Sequence, residues 1–391
     1  MPLPLYLLAL VVFAMGTSEF MLAGLLPDIA SDLDVSVGTA GTLTSAFAIG
    51  MIISAPLVGA LARNWPARGS LLWFVLVFSA AHAMGAITTS FVVLFVTRVV
   101  AAVANAGFLA VALTTAAELV PPGRKGRALA VLLSGTTVAT IAGVPGGSLL
   151  GTMLGWRATF WAVAVVCLPA ALGVLMGIAP RPGQSDEADG PALRSEIEQL
   201  RSPRLILVML LGALVNAATF GSFTFLAPIV TDGAGMTRPW ISVVLVLFGA
   251  GSFVGVTLAG RLSDQRPGLV IAVGGPLLLI GWPALALLAE NQIALLTLAF
   301  VQGALSFAVG STLITRVLYE AAGAPTMAGA YATAALNVGA AVGPLIAAVT
   351  LGPVGNRGPL WASGFLVLVA LLAAFPLRSA MAAARSHEVL Q

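Results

Sequence analysis

Residues 5–26 read LYLLALVVFAMGTSEFMLAGLL, and Glu19 is the only charged residue among these 22. About 20 apolar residues in an α-helix cross a hydrocarbon core that is about 30 Å thick. The segment is therefore long and apolar enough to span a lipid bilayer, with one carboxyl group inside the membrane. Similar apolar stretches recur along the chain and decide its fold class.

The composition of the whole chain extends this interpretation. Of its 391 residues, 59% are hydrophobic and 8% are charged, whereas a soluble protein is about 45–50% apolar and about 25% charged. With one cysteine, Cys167, and two histidines, His82 and His387, we expect no disulfide and no metal centre. The net charge of +3 is spread over loops, so nucleic acid is not an expected partner.

Pro, Gly and charged residues divide the chain into twelve apolar segments. They predict transmembrane helices at residues 5–26, 39–61, 70–88, 91–117, 128–151, 158–178, 205–230, 240–260, 268–288, 293–315, 327–350 and 359–377. We predict an all-α membrane protein with two six-helix bundles, residues 1–179 and 205–380. A cytoplasmic linker, residues 180–204, joins the bundles, and a tail, residues 381–391, follows them.

The linker has two open interpretations. Leu193, Ile197 and Leu200 have helical spacing, which predicts a short amphipathic helix on the cytoplasmic membrane surface. A solvated linker is the alternative. Residues 1–4 contain no basic side chain, so we expect no cleaved signal peptide.

Basic residues predict the orientation of the spans. Cytoplasmic loops of membrane proteins carry an excess of Lys and Arg. With both termini in the cytoplasm, fourteen of the 18 basic residues fall on the cytoplasmic side. Arg157, Arg238 and Arg357 fall outside, and Arg98 lies within a span. We therefore predict that both termini are cytoplasmic.

The two halves of the chain share landmarks that are 201 positions apart. The matching pairs are Pro27 and Pro228, Gly50 and Gly251, and Gly59 and Gly260. Six spans per half give both copies the same direction through the membrane, as in transporters with parallel repeats. The halves differ inside the membrane, because Glu19 corresponds to Phe220 and Arg98 corresponds to Ala299.

Glu19 and Arg98 are charged residues inside the first and fourth predicted spans. A charge at the bilayer centre costs about 2.5–3.5 kcal/mol, so such residues are functional candidates. We predict that Glu19 binds and releases protons and that Arg98, at the same predicted depth, pairs with it. Two alternatives stay open: a Glu19 that only joins two helices as a permanent ion pair, and an Arg98 that extends towards the membrane surface.

Conformational change needs segments that bend or seal, and the fifth span contains Gly143, Pro145, Gly146 and Gly147. Small residues allow helices to approach closely, and proline bends a helix. These residues predict a hinge or a tight seal between the halves, with ordinary helix packing as the alternative.

The loops after spans two and eight have a related pattern of small and charged residues. Gly59 and Arg68 belong to the first loop, and Gly260 and Asp264 belong to the second. Asp264 lies close in sequence to basic residues, which predicts charge pairs that lock the helix ends in one conformation.

A substrate path through the membrane needs aromatic and amide side chains on inward helix faces. The candidates for substrate binding, with Glu19, are Asn105, Asn216, Phe220, Phe223, Gln302, Tyr331 and Asn337. Asn216, Phe220 and Phe223 share one helix face by their spacing. We expect about half of the set to line the path and the rest to bind neighbouring helices. His82 is expected to be a packed, hydrogen-bonded residue rather than a proton relay.

Several of these segments together resemble a known family of transporters. The segments are residues 16–21 (GTSEFM), 24–30 (GLLPDIA) and 155–160 (GWRATF), with Arg98 in span four and residues 143–147 in span five. With the twelve-span repeat, they resemble the major facilitator superfamily over essentially the whole chain. The resemblance is to its drug:proton antiporter branch, and within it to actinobacterial chloramphenicol exporters.

The resemblance implies that Arg98 belongs to a proton-coupling motif and that residues 143–147 form an antiporter motif. Arg63 departs from the family pattern, which has an acidic residue at this position, so the charge lock is expected only at Asp264.

The function that follows from the resemblance is export of a small amphiphilic drug, chloramphenicol, in exchange for protons by alternating access. We expect a monomeric, multi-pass protein of the bacterial inner membrane that is not an enzyme and needs no cofactor. Its partners are the drug, protons and the lipid bilayer. A sugar or nucleoside exporter of the same superfamily is the first alternative, and a channel or facilitator without proton coupling is the second.

Overall fold

The computed structural model describes residues 2–61, 66–121, 124–178, 198–263, 267–321, 323 and 327–388. All regular secondary structure in these residues is helical. The helices are α1 (Leu3–Phe20), α2 (Leu26–Asp32), α3 (Val37–Leu61), α4 (Ala67–Ile87), α5 (Phe91–Glu118), α6 (Lys125–Val138), α7 (Val144–Leu154), α8 (Trp156–Gly177), α9 (Pro203–Thr224), α10 (Pro239–Ser263), α11 (Pro267–Leu288), α12 (Gln292–Glu320), α13 (Ala328–Val354) and α14 (Gly358–Glu388).

Eleven segments of the described residues are long and apolar enough to cross a membrane. The last of them extends over 47 residues from Ala328 to Ala374. It includes α13 and part of α14, which a 3₁₀ turn at Gly355–Arg357 separates. The prediction of an all-α, membrane-spanning fold is confirmed.

Short helical segments follow the first and seventh spans. Beyond α1, the chain passes through a 3₁₀ turn, Met21–Gly24, into α2. Beyond α9, helical turns continue to Gly233. Pro27 and Pro228 lie within these short helical turns, where the first turn of a helix does not need the N–H group that proline lacks.

The described residues form two large apolar cores, one from each half of the chain, and a small third cluster between the halves. The first bundle, α1–α8, encloses one core, to which Phe225 and Ala347 also contribute. The second bundle, α9–α14, encloses the other, to which Ala23 and Val144 contribute. Each bundle therefore buries its own apolar side chains and lends a few to the other.

The same close helix contact occurs in both bundles. In the first, α3 packs on α5, and a Cβ atom on Gly50 would lie 2.9 Å from the carbonyl oxygen of Val99. In the second, α10 packs on α12, and a Cβ atom on Gly251 would collide with the carbonyl of Phe300. Phe300 follows Val99 by the same 201 positions that separate the two glycines. Glycine is needed at both positions because the backbones approach closely.

The bundles contact each other near the helix ends that lie opposite the chain termini. We call this end the distal face; it comprises the helix ends at residues 24–37, 87–91, 154–156, 224–239, 288–292 and 354–358. Asp28 and Arg238 form an ion pair between the bundles at 2.9 Å. Ser45 in α3 donates a hydrogen bond to the carbonyl of Ala341 in α13 at 2.7 Å. These contacts join the two bundles on the side of the distal face.

Parts of the predicted linker and motifs lie outside the described residues. These include Leu193 and Ile197, so the amphipathic helix stays a prediction, and Asp264 with its expected charge pairs. Gly59 lies near the end of α3, Gly260 near the end of α10, and Arg68 in the first turn of α4. Helix α14 extends to Glu388, beyond residue 380. The limits of the two bundles stay predictions.

Candidate functional site

An aromatic pocket lies between the two bundles and is partly open to solvent. The first bundle contributes Phe20, Thr140 and Val144. The second bundle contributes Thr219, Phe220, Phe223, Leu245, Phe248, Gly249, Ser252 and Phe307. A ligand in this pocket would contact both bundles, so movement between the bundles would change its surroundings.

Five phenylalanine rings form a continuous series along the pocket. The ring centroid of Phe20 lies 5.6 Å from that of Phe220, and Phe220 lies 6.3 Å from Phe223. Phe223 lies 5.0 Å from Phe248, which lies 6.4 Å from Phe307. These distances are within the range of about 4.5–7 Å for favourable aromatic pairs. The pocket therefore offers flat apolar surfaces to an aryl group.

The polar groups of the pocket are uncharged hydroxyls. Thr140, Thr219 and Ser252 each donate a hydrogen bond to a carbonyl of their own helical segment, at 2.8–2.9 Å. Their oxygens retain the capacity to accept a hydrogen bond from a ligand. The lining residues that the structure describes include no ionisable side chain, so this lining suits a neutral ligand better than an ion.

The predicted substrate residues divide by chemical type. Phe220 and Phe223 line the pocket. The three amides of Asn216, Gln302 and Asn337 do not, because each donates to a backbone carbonyl, at 2.7, 3.4 and 3.0 Å respectively. Buried amides in an apolar bundle take the acceptors that neighbouring backbone provides.

Asn105 and Tyr331 are also buried without lining the pocket. The residues that sequence analysis missed are chiefly Phe20, Phe248 and Phe307. Phe20 directly follows Glu19 in the sequence, and its position beside a candidate proton site could have indicated that it lines the pocket. Phe248 and Phe307 stand in apolar stretches where no polar neighbour distinguishes them.

Arg98 lies at the centre of the first bundle and is 1% exposed. Its Nη1 donates to the Ser18 hydroxyl at 2.7 Å, and its Nη2 donates to the Ser18 carbonyl at 2.8 Å. Its guanidinium carbon lies 4.6 Å from the centroid of the Phe47 ring. The alternative in which Arg98 extends to the membrane surface is therefore wrong.

The predicted pairing of Arg98 with Glu19 is not a direct ion pair, although the two charges interact electrostatically. The ion pairs in the described part of the chain do not include one between these residues. Successive residues of an α-helix are rotated by about 100°, so Ser18 faces α5 while the half-buried Glu19 points to one side. Ser18, the residue before Glu19, thus binds the guanidinium of Arg98.

His82 is packed and hydrogen-bonded, as expected. Its ring is 1% exposed and lies between the rings of Phe78 and Phe160, with centroids 4.3 and 5.7 Å away. Its Nε2 lies 2.6 Å from the Ser18 hydroxyl oxygen. The residue therefore belongs to the same polar cluster as Arg98.

The glycine- and proline-rich part of span five contains a π turn, Ala139–Gly143, between α6 and α7. Pro145 lacks an N–H group and so cannot donate to the preceding helical turn, which accounts for the irregularity. Gly143 contacts Thr17 of α1, and a Cβ atom on Gly147 would lie 3.0 Å from the Thr159 methyl carbon. Gly146 has nothing within 4 Å of its Cβ position.

This segment also contacts the second bundle. A Cβ atom on Gly249 of α10 would lie 2.6 Å from the carbonyl oxygen of Thr140. Both residues line the aromatic pocket. The π turn therefore forms a close contact between the bundles beside the pocket.

A group of polar contacts lies at the distal face of the first bundle. Asp32 forms an ion pair with Arg157 and accepts a hydrogen bond from the Trp156 indole at 3.1 Å. Arg157 also donates to the carbonyl of Thr88 at 2.9 Å. The hydrogen bond from Arg157 holds the pKa of the Asp32 carboxyl below its usual range. These contacts join α2 to α8.

A family model of the Major Facilitator Superfamily matches residues 8–334. The chain belongs to this superfamily of membrane transporters. It is a multi-pass membrane protein that moves small molecules and is not an enzyme.

Among curated relatives, a chloramphenicol resistance protein of Streptomyces lividans is 75% identical over 385 residues, 98% of each chain. The inner membrane transport protein YdhP of Escherichia coli strain K12 is 31% identical over 340 residues, 87% of this chain and 86% of its own. Both alignments cover most of the two chains compared, so the similarity extends over both bundles.

Two solved structures share the fold at low sequence identity. A bacterial homologue of the human lysosomal transporter Spinster, in an inward-facing and unoccupied conformation, has a TM-score of 0.74 at 18% identity. That comparison covers 95% of this chain and 94% of the other. The nucleoside transporter NupG has a TM-score of 0.77 at 13% identity, covering 96% and 98%. These comparisons support the fold alone.

Proposed function

We propose that the chain exports chloramphenicol across the bacterial inner membrane in exchange for protons, and so gives resistance to the drug. The observation that carries the proposal is the uncharged aromatic pocket between the two bundles. Phenicols are neutral at physiological pH and combine one aryl ring with a few hydroxyl groups. The Streptomyces protein that is 75% identical carries the name of a chloramphenicol resistance protein.

The pocket lining suits the drug in polarity. An aryl ring would stack near Phe220 and Phe223, while the hydroxyls of Thr219 and Ser252 accept hydrogen bonds from the drug. Glu19 precedes Phe20, whose ring forms the wall on the first bundle. Drug binding and protonation are then coupled through adjacent residues of α1.

Glu19 is the proposed proton site, and Arg98 is the fixed positive charge beside it. Ser18 already provides Arg98 with two neutral acceptors, so the carboxyl group of Glu19 is not committed to a permanent ion pair. This arrangement favours a titrating Glu19 over a structural one. One charge that moves inward provides about 2.3 kcal/mol per 100 mV of membrane potential, enough for more than tenfold outward accumulation of a neutral drug.

The transport cycle is proposed to use twelve spans with both termini in the cytoplasm. The 47-residue segment Ala328–Ala374 supports the count, because a helix of that length would extend about 70 Å, more than twice the hydrocarbon thickness. It therefore contributes two spans. The distal face is then extracellular, and the bundles joined there are in an inward-facing state.

The π turn and the glycines of span five are the proposed moving contact. Thr140 and Gly249 touch across the bundles beside the pocket, so their separation would open the pocket to the other side. Arg68, Gly59, Gly260 and Asp264 keep their proposed role at the opposite ends of the helices, where they would lock the alternative state. The protein is proposed to act as a monomer without a cofactor.

Growth of an efflux-deficient bacterial host tests the proposed substrate. Expression of the chain should raise the chloramphenicol concentration that stops growth by at least about tenfold, and the Glu19→Gln variant should remove this protection at equal abundance. Unchanged chloramphenicol sensitivity, together with export of a sugar or nucleoside, would replace the drug assignment.

A further inference from the structure

A chain of hydrogen bonds connects three helices of the first bundle around Ser18. His82 of α4 lies with Nδ1 2.8 Å from the carbonyl oxygen of Phe78 and Nε2 2.6 Å from the Ser18 hydroxyl. The same hydroxyl oxygen lies 2.7 Å from Nη1 of Arg98 in α5. The side chains of Ser18, Phe78, His82 and Arg98 are all buried.

The geometry fixes the direction of every hydrogen bond. The carbonyl of Phe78 can only accept, so Nδ1 of His82 carries the hydrogen and donates it. In the neutral imidazole Nε2 is then an acceptor, and a second positive charge beside Arg98 would be unfavourable. Ser18 must therefore donate its hydrogen to Nε2, and its oxygen accepts from Arg98.

Ser18 differs from the buried serines that bond within their own helix. Ser54 donates to the carbonyl of Gly50 at 2.6 Å, and Ser252 donates to that of Phe248 at 2.8 Å, each four residues earlier in the same helix. This local bond is the default for a serine inside a helix. His82 supplies an acceptor from another helix and so keeps the Ser18 hydroxyl oriented between α4 and α5.

We propose that His82 is a positioning residue for proton coupling. By accepting the hydrogen of Ser18, it presents the Ser18 oxygen to Arg98 and holds the guanidinium away from Glu19. Without His82, the Ser18 hydroxyl would turn to its own helix, and the guanidinium would lose one of its two neutral acceptors. Arg98 would then seek the carboxyl of Glu19. The inference rests on the proposed proton coupling at Glu19.

Four single variants and one double variant separate positioning from a structural role. His82→Phe keeps an aromatic ring between Phe78 and Phe160 but removes the acceptor, and Ser18→Ala removes the hydroxyl. His82→Gln places an amide oxygen near the position of Nε2 and should retain gradient-driven transport. Ser54→Ala is the matched control, because it removes a buried serine hydroxyl from α3 outside the cluster.

Each variant is reconstituted in proteoliposomes, and two quantities are measured with chloramphenicol as the probe: the initial rate of transport driven by an imposed proton gradient, and the equilibrium affinity. His82→Phe and Ser18→Ala should each slow gradient-driven transport about tenfold, the loss expected for one hydrogen bond to a charged group. The affinity should stay within about twofold. His82→Gln and Ser54→Ala should stay within about threefold of the wild-type rate, and the variant with both His82→Phe and Ser18→Ala should be no slower than either alone.

The outcomes also separate this inference from the proposed function. Undiminished transport by His82→Phe, or parallel losses of rate and affinity, would overturn the positioning role alone, provided that Glu19→Gln abolishes gradient-driven transport. If transport by the wild-type protein is the same with and without the proton gradient, the proposed coupling is overturned, and this inference with it. If His82→Phe does not fold, Ser18→Ala interrupts the same chain of hydrogen bonds, and undiminished transport by Ser18→Ala would overturn the positioning role.

Discussion

At the scale of single residues, the site depends on two residues of α1, Ser18 and Phe20, that face different surroundings. Ser18 is buried against Arg98 and His82, and Phe20 forms a wall of the pocket. Glu19 lies between them in sequence and is half-buried. One helical turn therefore connects the buried cluster to the pocket.

Substitution of Arg98 tests whether its planar fork is required. Arg98→Lys should reduce gradient-driven transport at least about tenfold, because a single ammonium group does not reproduce two parallel bonds to Ser18. Arg98→Ala should be at least as damaging. Transport rates of both variants in proteoliposomes check this, with protein amount in the membrane as the control. Normal rates in both would remove Arg98 from the mechanism.

Removal of a pocket ring tests the drug site. Phe220→Ala should weaken chloramphenicol binding by about 1–3 kcal/mol, because the drug loses one aromatic wall. Phe365→Ala is the matched control, since the Phe365 ring is 63% exposed on the outside of the second bundle. Equilibrium binding to purified protein measures both. Equal affinities in the two variants would place the drug elsewhere.

At the scale of helices, local sequence rules explain the breaks that position the site. Pro27 and Pro145 each lie in the first turn of a helix, preceded by a 3₁₀ turn and a π turn respectively. Hydropathy predicted the spans because each helix must satisfy its own backbone groups in lipid, which is a local property. It could not predict that helical structure resumes after a proline.

Two glycines of span five form a matched pair. Gly143→Ala should destabilise the protein by about 1–3 kcal/mol and impair transport, because the added methyl group collides with Thr17 and forces α1 and the π turn apart. Gly146→Ala should be tolerated, since its Cβ position is open. Thermal unfolding in detergent and transport rates compare the two. Equal behaviour would show that the close contact with α1 is unimportant.

The contact between α2 and α8 gives a pH-dependent contribution to stability. The pKa of Asp32 is lowered by its hydrogen bond from Arg157, so the contact stabilises the folded state above the usual carboxyl range of about pH 4 and is lost as the pH falls below it. Asp32 is 44% exposed, so the effect should stay below about 1 kcal/mol. Asp32→Asn should lower the unfolding temperature at pH 7 but hardly at pH 3. The same difference at both pH values would contradict this.

At the scale of the whole molecule, the pocket exists only because two similar bundles meet at the distal face. The repeat was visible in the sequence at Gly50 and Gly251, and the structure contains the same close contact at both. The sequence did not show which side chains meet across the bundles. The spacing predicts Asn216 as a substrate ligand, yet it binds the backbone of Leu336 within the second bundle, because relative packing decides which face is turned inward.

Protonation of Glu19 is proposed to drive drug movement, and this coupling can be measured directly in proteoliposomes reconstituted with wild-type protein or Glu19→Gln. Glutamine keeps the size of the side chain but cannot exchange a proton. A proton gradient imposed across the wild-type membrane should drive chloramphenicol against its concentration difference, and the variant should bind the drug without net uphill transport. Uphill transport by Glu19→Gln at the wild-type rate, or wild-type transport that is the same with and without the gradient, would contradict the claim.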